Sequence, residues 1–222
     1  VLAKTHTTTA SQKSNLTKAS NKQVSSKQEY SRNSAKSSSL PDLRKYPSGT
    51  PRKKAFLRTV MPYITSQNAA ITAERNWLIS KQYQGQWSPA ERARLKDIAK
   101  RYKVKWSGNT RKIPWNTLLE RVDIIPTSMV ATMAAAESGW GTSKLARNNN
   151  NLFGMKCMKG RCTNAPGKVK GYSQFSSVKE SVSAYVTNLN THPAYSSFRK
   201  SRAQLRKADQ EVTATAMIHK LK

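Results

Sequence analysis

One carboxylate in this sequence stands where a carboxylate is hard to explain by solubility alone. The run Pro126-Thr-Ser-Met-Val-Ala-Thr-Met-Ala-Ala-Ala-Glu137 has rising helix propensity and is closed by Gly139 and Gly141, so Glu137 falls in the last turn of a helix. Counting back by three, four and seven reaches Ala134, Met133 and Val130, which places Glu137 on the stripe expected to face the core. A carboxyl held there and at a helix C-terminus is disfavoured as an anion, which suits a general acid. A buried Glu neutralised by a basic partner is the alternative. Trp140, set between Gly139 and Gly141, shifts the balance toward chemistry, because a flat apolar ring beside an acid is what a sugar-cleaving cleft requires.

Other ionisable groups read as structural. Ser177-Val-Lys-Glu180 has the spacing of a capping box opening a helix that carries Val182, Tyr185, Val186 and Leu189. Asp123 precedes the helix of Glu137 and is expected to support it rather than react. His6, His192 and His219 show no nucleophile–base spacing. Cys157 and Cys162 could form a local disulfide across a turn or remain two thiols, and two cysteines with no adjacent histidine are a poor zinc site.

Four ordered motifs then carry a resemblance. Glu137-Ser-Gly-Trp-Gly-Thr-Ser, Asn151-Leu-Phe-Gly-Met-Lys156, Tyr172-Ser-Gln-Phe-Ser-Ser177 and Tyr185-Val-Thr-Asn-Leu-Asn-Thr-His-Pro-Ala-Tyr195 resemble the bacterial endo-beta-N-acetylglucosaminidase family of autolysins and flagellar muramidases. The likeness runs from about Lys53 to Lys222. It implies an α+β, mainly α architecture: a lysozyme-like helical domain with a small β-hairpin lobe, cutting peptidoglycan strands after N-acetylglucosamine. By this resemblance Glu137 is the catalytic acid, and Trp140, Asn151, Phe153, Tyr172, Tyr185 and Tyr195 bind substrate. No cofactor or metal is implied. Of the tyrosines, Tyr185 lies on an apolar helix face and suits a core, whereas Tyr195, after His192-Pro193, is freer to line a cleft.

The family pattern is incomplete here. Many members carry a second acid in the hairpin lobe, but Leu152 to Lys179 contains no Asp or Glu, so a two-carboxylate scheme is not visible. Substrate assistance by the sugar's 2-acetamido group, or a lytic route with one acid/base, would dispense with it. The resemblance also implies that the domain is cut short after His219-Lys-Leu-Lys222, leaving a glycan-binding module with weak turnover as a rival reading.

The elements that must position these residues follow from pattern. Residues 1–50 are rich in Ser, Thr, Asn, Gln and Lys with scattered apolar positions, which predicts a disordered basic tail. Phe56, Val60, Ile64, Ile71, Leu78 and Ile79 recur at helical spacing, with Pro62 expected to interrupt or restart the helix. Ser88-Pro89 with Glu91 signals a second helix start, after which Leu95, Ile98, Ala99 and Tyr102 face one way. Trp115 to Arg121 is a short helix, and Pro126 opens the next. The plan is thus a tail (1–50), a helical subdomain (51–122) and a catalytic domain (123–222).

Charge bounds the partners. Forty Lys and Arg against eleven Asp and Glu give a net charge of +29 over 222 residues, so polyanions are attracted. Peptidoglycan glycan strands are the expected partner, with anionic envelope polymers beside them. No zinc finger, RNP-like or helix-turn-helix signature supports specific nucleic-acid binding. No run of about 18 apolar residues could span a bilayer. No signal peptide is visible in a chain that begins with Val, yet export to the periplasm or cell envelope is the expected location.

Overall fold

The computed structural model describes residues 40–157, 162 and 165–221. The disorder expected of residues 1–39 lies outside the described residues. Helix α1, Thr50–Lys81, is about 48 Å long at 1.5 Å per residue and forms the spine of the fold. Its buried positions Phe56, Val60, Ile64, Ile71 and Leu78 are those of the predicted stripe, but Ile79 is exposed. Pro62 does not interrupt the helix. It sits on the solvent side, where water can satisfy the carbonyl that loses its bond, and buried residues on both sides of it hold the two halves in line.

Helix α2, Pro89–Arg101, opens with the full capping box of Ser88 and Glu91 and buries Leu95, Ile98 and Ala99, with Tyr102 beside them. It is followed by α3, Trp115–Arg121, and α4, Thr127–Ser138, which ends on Gly139 in the left-handed conformation. After α5, Lys144–Asn149, comes an irregular lobe, then α6, Val178–Thr191, a 3₁₀ turn over Pro193–Tyr195, α7, Ser196–Lys207, and the short α8, Ala214–Met217. Helix α1 packs on α4 and α6, and α3 on α7, so these helices share one core. Residues 40–49, read from sequence as the end of the tail, include Leu43, which is fully buried.

The lobe between α5 and α6 shows one isolated antiparallel bridge, Lys156 to Tyr172, and no strand among the described residues. Side chains supply bonds that a sheet ladder would otherwise make. The Asn149 amide receives the N–H of Val169 (2.8 Å) and donates to its carbonyl (3.1 Å), while Asn150 donates to the Phe175 carbonyl (3.1 Å). Lys168 Nζ reaches the Asn148 carbonyl (2.7 Å). Cys157 and Cys162 are disulfide-bonded, which decides the alternative that sequence left open.

Beneath the helices lies a buried ionic cluster. Asp123, 1 % exposed, accepts two hydrogen bonds from Arg206 (2.9 and 2.7 Å), with Arg75 at 3.5 Å and Arg202 at 3.9 Å. Arg202 is fully buried and donates to the carbonyls of Glu120, Asp123 and Ile124 and to Asn190 Oδ1, joining α7 to α3, to the segment before α4, and to α6. Burial by itself would raise the Asp123 carboxyl, but the Arg206 hydrogen bonds and the charges of Arg202 and Arg75 outweigh it and hold it below the usual carboxylate value. Asp123 is therefore a structural anion.

Candidate active site

Glu137 is exposed, and this corrects its assignment to the buried stripe. The stripe of α4 runs through Val130, Ala131, Ala134, Ala135 and Ser138, and Glu137 lies on its flank in the final turn, where the helix has cleared the core. Its carboxylate instead lies against the lobe at Gly154. A Cβ built on Gly154 would meet Glu137 Oε2 at 3.0 Å, and the Gly154 backbone has φ +65°. The backbone conformation favours glycine there, and a side chain would press the Glu137 carboxylate aside by a few tenths of an ångström.

Gly154 opens onto a cleft of about 650 Å³ whose walls include Phe153, Tyr185, Tyr195, Lys103 and Lys156. Three of the predicted residues are thus brought together. Phe153 and Tyr185 stack face to face, centroids 4.1 Å apart with planes 4° from parallel, and are 7 % and 8 % exposed. Tyr185 belongs to the core, as its helix face predicted, and still shows an edge to the cleft. Burial, reinforced by interaction with Tyr195 and with the Glu137 carboxylate, pushes the Tyr185 hydroxyl above its ordinary value, so it stays protonated and can donate. Tyr195 is half-buried on the 3₁₀ turn, with the His192 ring edge-on at 6.1 Å. His192 Nδ1 accepts the Ala194 N–H (3.0 Å), fixing the ring at the cleft rim.

The other predicted binding residues stand elsewhere. Asn151 is buried and its amide is consumed inside the lobe: Nδ2 donates to the carbonyls of Met155 (2.9 Å) and Ser173 (3.1 Å), and Oδ1 accepts from the N–H groups of Phe153 (3.3 Å) and Met155 (3.1 Å). It shapes the turn that carries Phe153 and Gly154. Tyr172 is half-buried at the bridge to Lys156 and does not line the cleft. Trp140 has its ring edge-on to Phe56 (5.6 Å) with Lys53 Nζ above it (5.1 Å). It lines a separate, mainly apolar groove of about 480 Å³ with Leu57 and Met61 of α1. The neighbouring glycine serves the core rather than a ligand, because a Cβ at Gly141 would fall 2.5 Å from Leu43 Cδ1.

Glu180 caps α6 as expected, but not as a reciprocal box. Its N–H donates to Ser177 Oγ (3.1 Å), while its carboxylate accepts from the N–H (2.8 Å) and hydroxyl of Ser176. The residues that sequence reasoning missed are Gly154, Lys103, Lys156 and Asn188. Gly154, Lys156 and Asn188 lay inside quoted motifs, whereas Lys103 reaches the cleft from just beyond α2, some 50 residues away in sequence.

No solved structure matches the chain. Residues 114–219 match the family model Glucosaminidase, described as mannosyl-glycoprotein endo-beta-N-acetylglucosaminidase. The matched segment runs from the residue before α3 to beyond α8, so it contains Glu137, the lobe, and every cleft wall except Lys103. The matched residues include the aromatic-walled cleft, and the match supports a glycoside-hydrolase-like function on glycans: residues 114–219 match a domain of the glucosaminidase family.

Proposed function

We propose that the protein hydrolyses the glycosidic bond after N-acetylglucosamine in peptidoglycan strands, with Glu137 as general acid. The observation that carries this reading is the seating of the Glu137 carboxylate against Gly154, at the edge of a cleft walled by Phe153, Tyr185 and Tyr195. Aromatic edges there suit the apolar faces of sugar rings, and the Tyr185 hydroxyl can donate to a sugar oxygen. Net positive charge favours an acidic glycan, and anionic envelope polymers are further partners at the periplasmic or envelope location where such strands occur.

Among the described residues no carboxylate lines the cleft and Glu137 is the acid held against its wall residue Gly154, so a single-acid scheme with substrate assistance is favoured. Glu137 protonates the leaving glycosidic oxygen while the 2-acetamido carbonyl oxygen attacks the anomeric carbon, breaking the C1–O bond and closing an oxazolinium ring that keeps the amide N–H. The Glu137 carboxylate then takes a proton from the water that reopens the ring, leaving a reducing N-acetylglucosamine end.

Digestion of purified sacculi followed by mass spectrometry of the released fragments tests the scheme. Reducing N-acetylglucosamine ends are expected; anhydro-muramic ends would replace it with a lytic route, and no product with folded protein would leave a binding module. Glu137→Gln should lower turnover by about two orders of magnitude or more at retained glycan affinity. Unchanged turnover in that variant would remove Glu137 from the role.

A further inference from the structure

The cleft does not end at Lys103. A second depression of about 310 Å³ lies beside it along α6, walled by Ser183, Thr187 and Thr191, and the two share Lys103 and Asn188. Lys103 is exposed at this junction, and Lys156 stands on a wall of the main cleft. Glu180, also on the second depression, has its carboxylate turned to Ser176, and the Glu137 carboxylate lies against Gly154, a wall residue of the main cleft. Among the described residues Lys103 is the cation shared by the two, at the place where a groove suited to a sugar chain opens into one lined by hydroxyls, an amide and Glu180.

The backbone at Lys103 is held firmly for such a role. It follows α2 with φ +54°, a left-handed position where glycine is favoured and a side chain carries a steric cost. Its N–H donates to the Lys100 carbonyl (3.2 Å), and its own carbonyl accepts from Arg121 Nη1 (2.8 Å), which also binds the Tyr102 carbonyl (3.0 Å). The ammonium therefore hangs from a clamped turn.

We propose that Lys103 is a specificity-determining residue that binds a carboxylate on a branch of the glycan, and that the branch lies in the depression along α6. This rests on the glycan-cleaving reading of the same cleft. The carboxylate has two sources, an acidic ether substituent on the sugar or a short peptide attached through it. Both present an anion near a sugar ring seated in the main cleft, and the polar wall of Ser183, Thr187 and Asn188 suits peptide amides as well as water.

The test measures binding in the full chain carrying Glu137→Gln, so that nothing is turned over. Three probes are compared: peptide-bearing N-acetylglucosaminyl-N-acetylmuramic oligomers, the same oligomers freed of peptide, and peptide-free oligomers with carboxyls converted to amides. With Lys103 present, carboxylate forms should bind more tightly than the amide form. Adding Lys103→Gln should cut that preference roughly three- to fivefold, the range of a partly screened ion pair, and Lys103→Arg should restore it. A loss confined to the peptide-bearing oligomer assigns the carboxylate to the peptide; a loss confined to the peptide-free oligomer, the only form whose ether carboxyl is free, assigns it to the sugar. An unchanged preference in folded Lys103→Gln overturns the proposal while leaving hydrolysis untouched. Lack of turnover by the Glu137 protein on sacculi sinks the hydrolase reading without altering this ratio, and no binding of any probe at millimolar concentration sinks both.

Discussion

The contact between Glu137 and Gly154 makes a demand on a residue that has no side chain. Gly154→Ala would introduce a Cβ 3.0 Å from the Glu137 carboxylate oxygen at a backbone position of φ +65°, so the acid or the turn must move. Displacement of a catalytic acid by a fraction of an ångström is expected to lower kcat/KM by at least about tenfold, while the left-handed backbone costs roughly 1–2 kcal/mol of stability. Steady-state kinetics on solubilised glycan together with a melting curve separate the two effects. Wild-type kinetics in a folded Gly154→Ala protein would show that the acid does not work from this position. Glu180, the nearest acid in a motif, should behave differently: its carboxylate is bound to Ser176, and Glu180→Gln should alter stability far more than turnover.

Among the elements, α6 has the largest share of the site, since it carries Tyr185 and Asn188 and receives the lobe through Ser181 Oγ, which accepts the Leu152 N–H (3.2 Å). Its N-cap is therefore tied to the cleft. Ser177→Ala removes the acceptor for the Glu180 N–H and should cost about 1 kcal/mol, seen as a lower denaturation midpoint at an unchanged slope. Activity at temperatures well below the melting point should persist, because the stacked Phe153–Tyr185 pair and the buried face of α6 still locate the helix. The lobe opposite depends on asparagine amides and a disulfide rather than on a ladder. These local bonds hold Phe153 and Gly154 in place without strands.

For the molecule as a whole, the Asp123 cluster is where the two halves of the sequence are joined, since Arg75 comes from α1 and Arg202 and Arg206 from α7. Asp123→Asn would leave buried guanidinium charge without its counter-ion and is expected to cost about 3–5 kcal/mol, measured by chemical denaturation. The pH dependence has a definite sign. Because the folded carboxyl is held below its unfolded value, its contribution is complete above the unfolded value and is lost as pH falls through the folded one. Acid denaturation of the wild type should therefore be steeper than that of Asp123→Asn. Parallel acid limbs for the two proteins would show that another carboxylate controls the transition.

Helix starts, helix ends and the acid-bearing motif were legible in the sequence because they depend on neighbours: Ser88-Pro89 with Glu91, Gly139 after Ser138, and Ser177 before α6 are short-range signals. Pro62 was misjudged because its cost depends on which side of α1 meets water, a property of packing and not of the local chain. Trp140 shows the same limit in the site. Its glycine neighbours were visible, but that Gly141 makes room for Leu43 rather than for a ligand depends on a contact across nearly a hundred residues. The sequence by itself determined that Glu137 falls in the last turn of a helix ahead of a lobe carrying Phe153, within a segment that matches the family model. Only the tertiary structure decided that Glu137 is exposed, that Asn151 spends its amide inside the lobe, and that Lys103 joins the cleft, because burial and convergence are set by which distant surfaces meet.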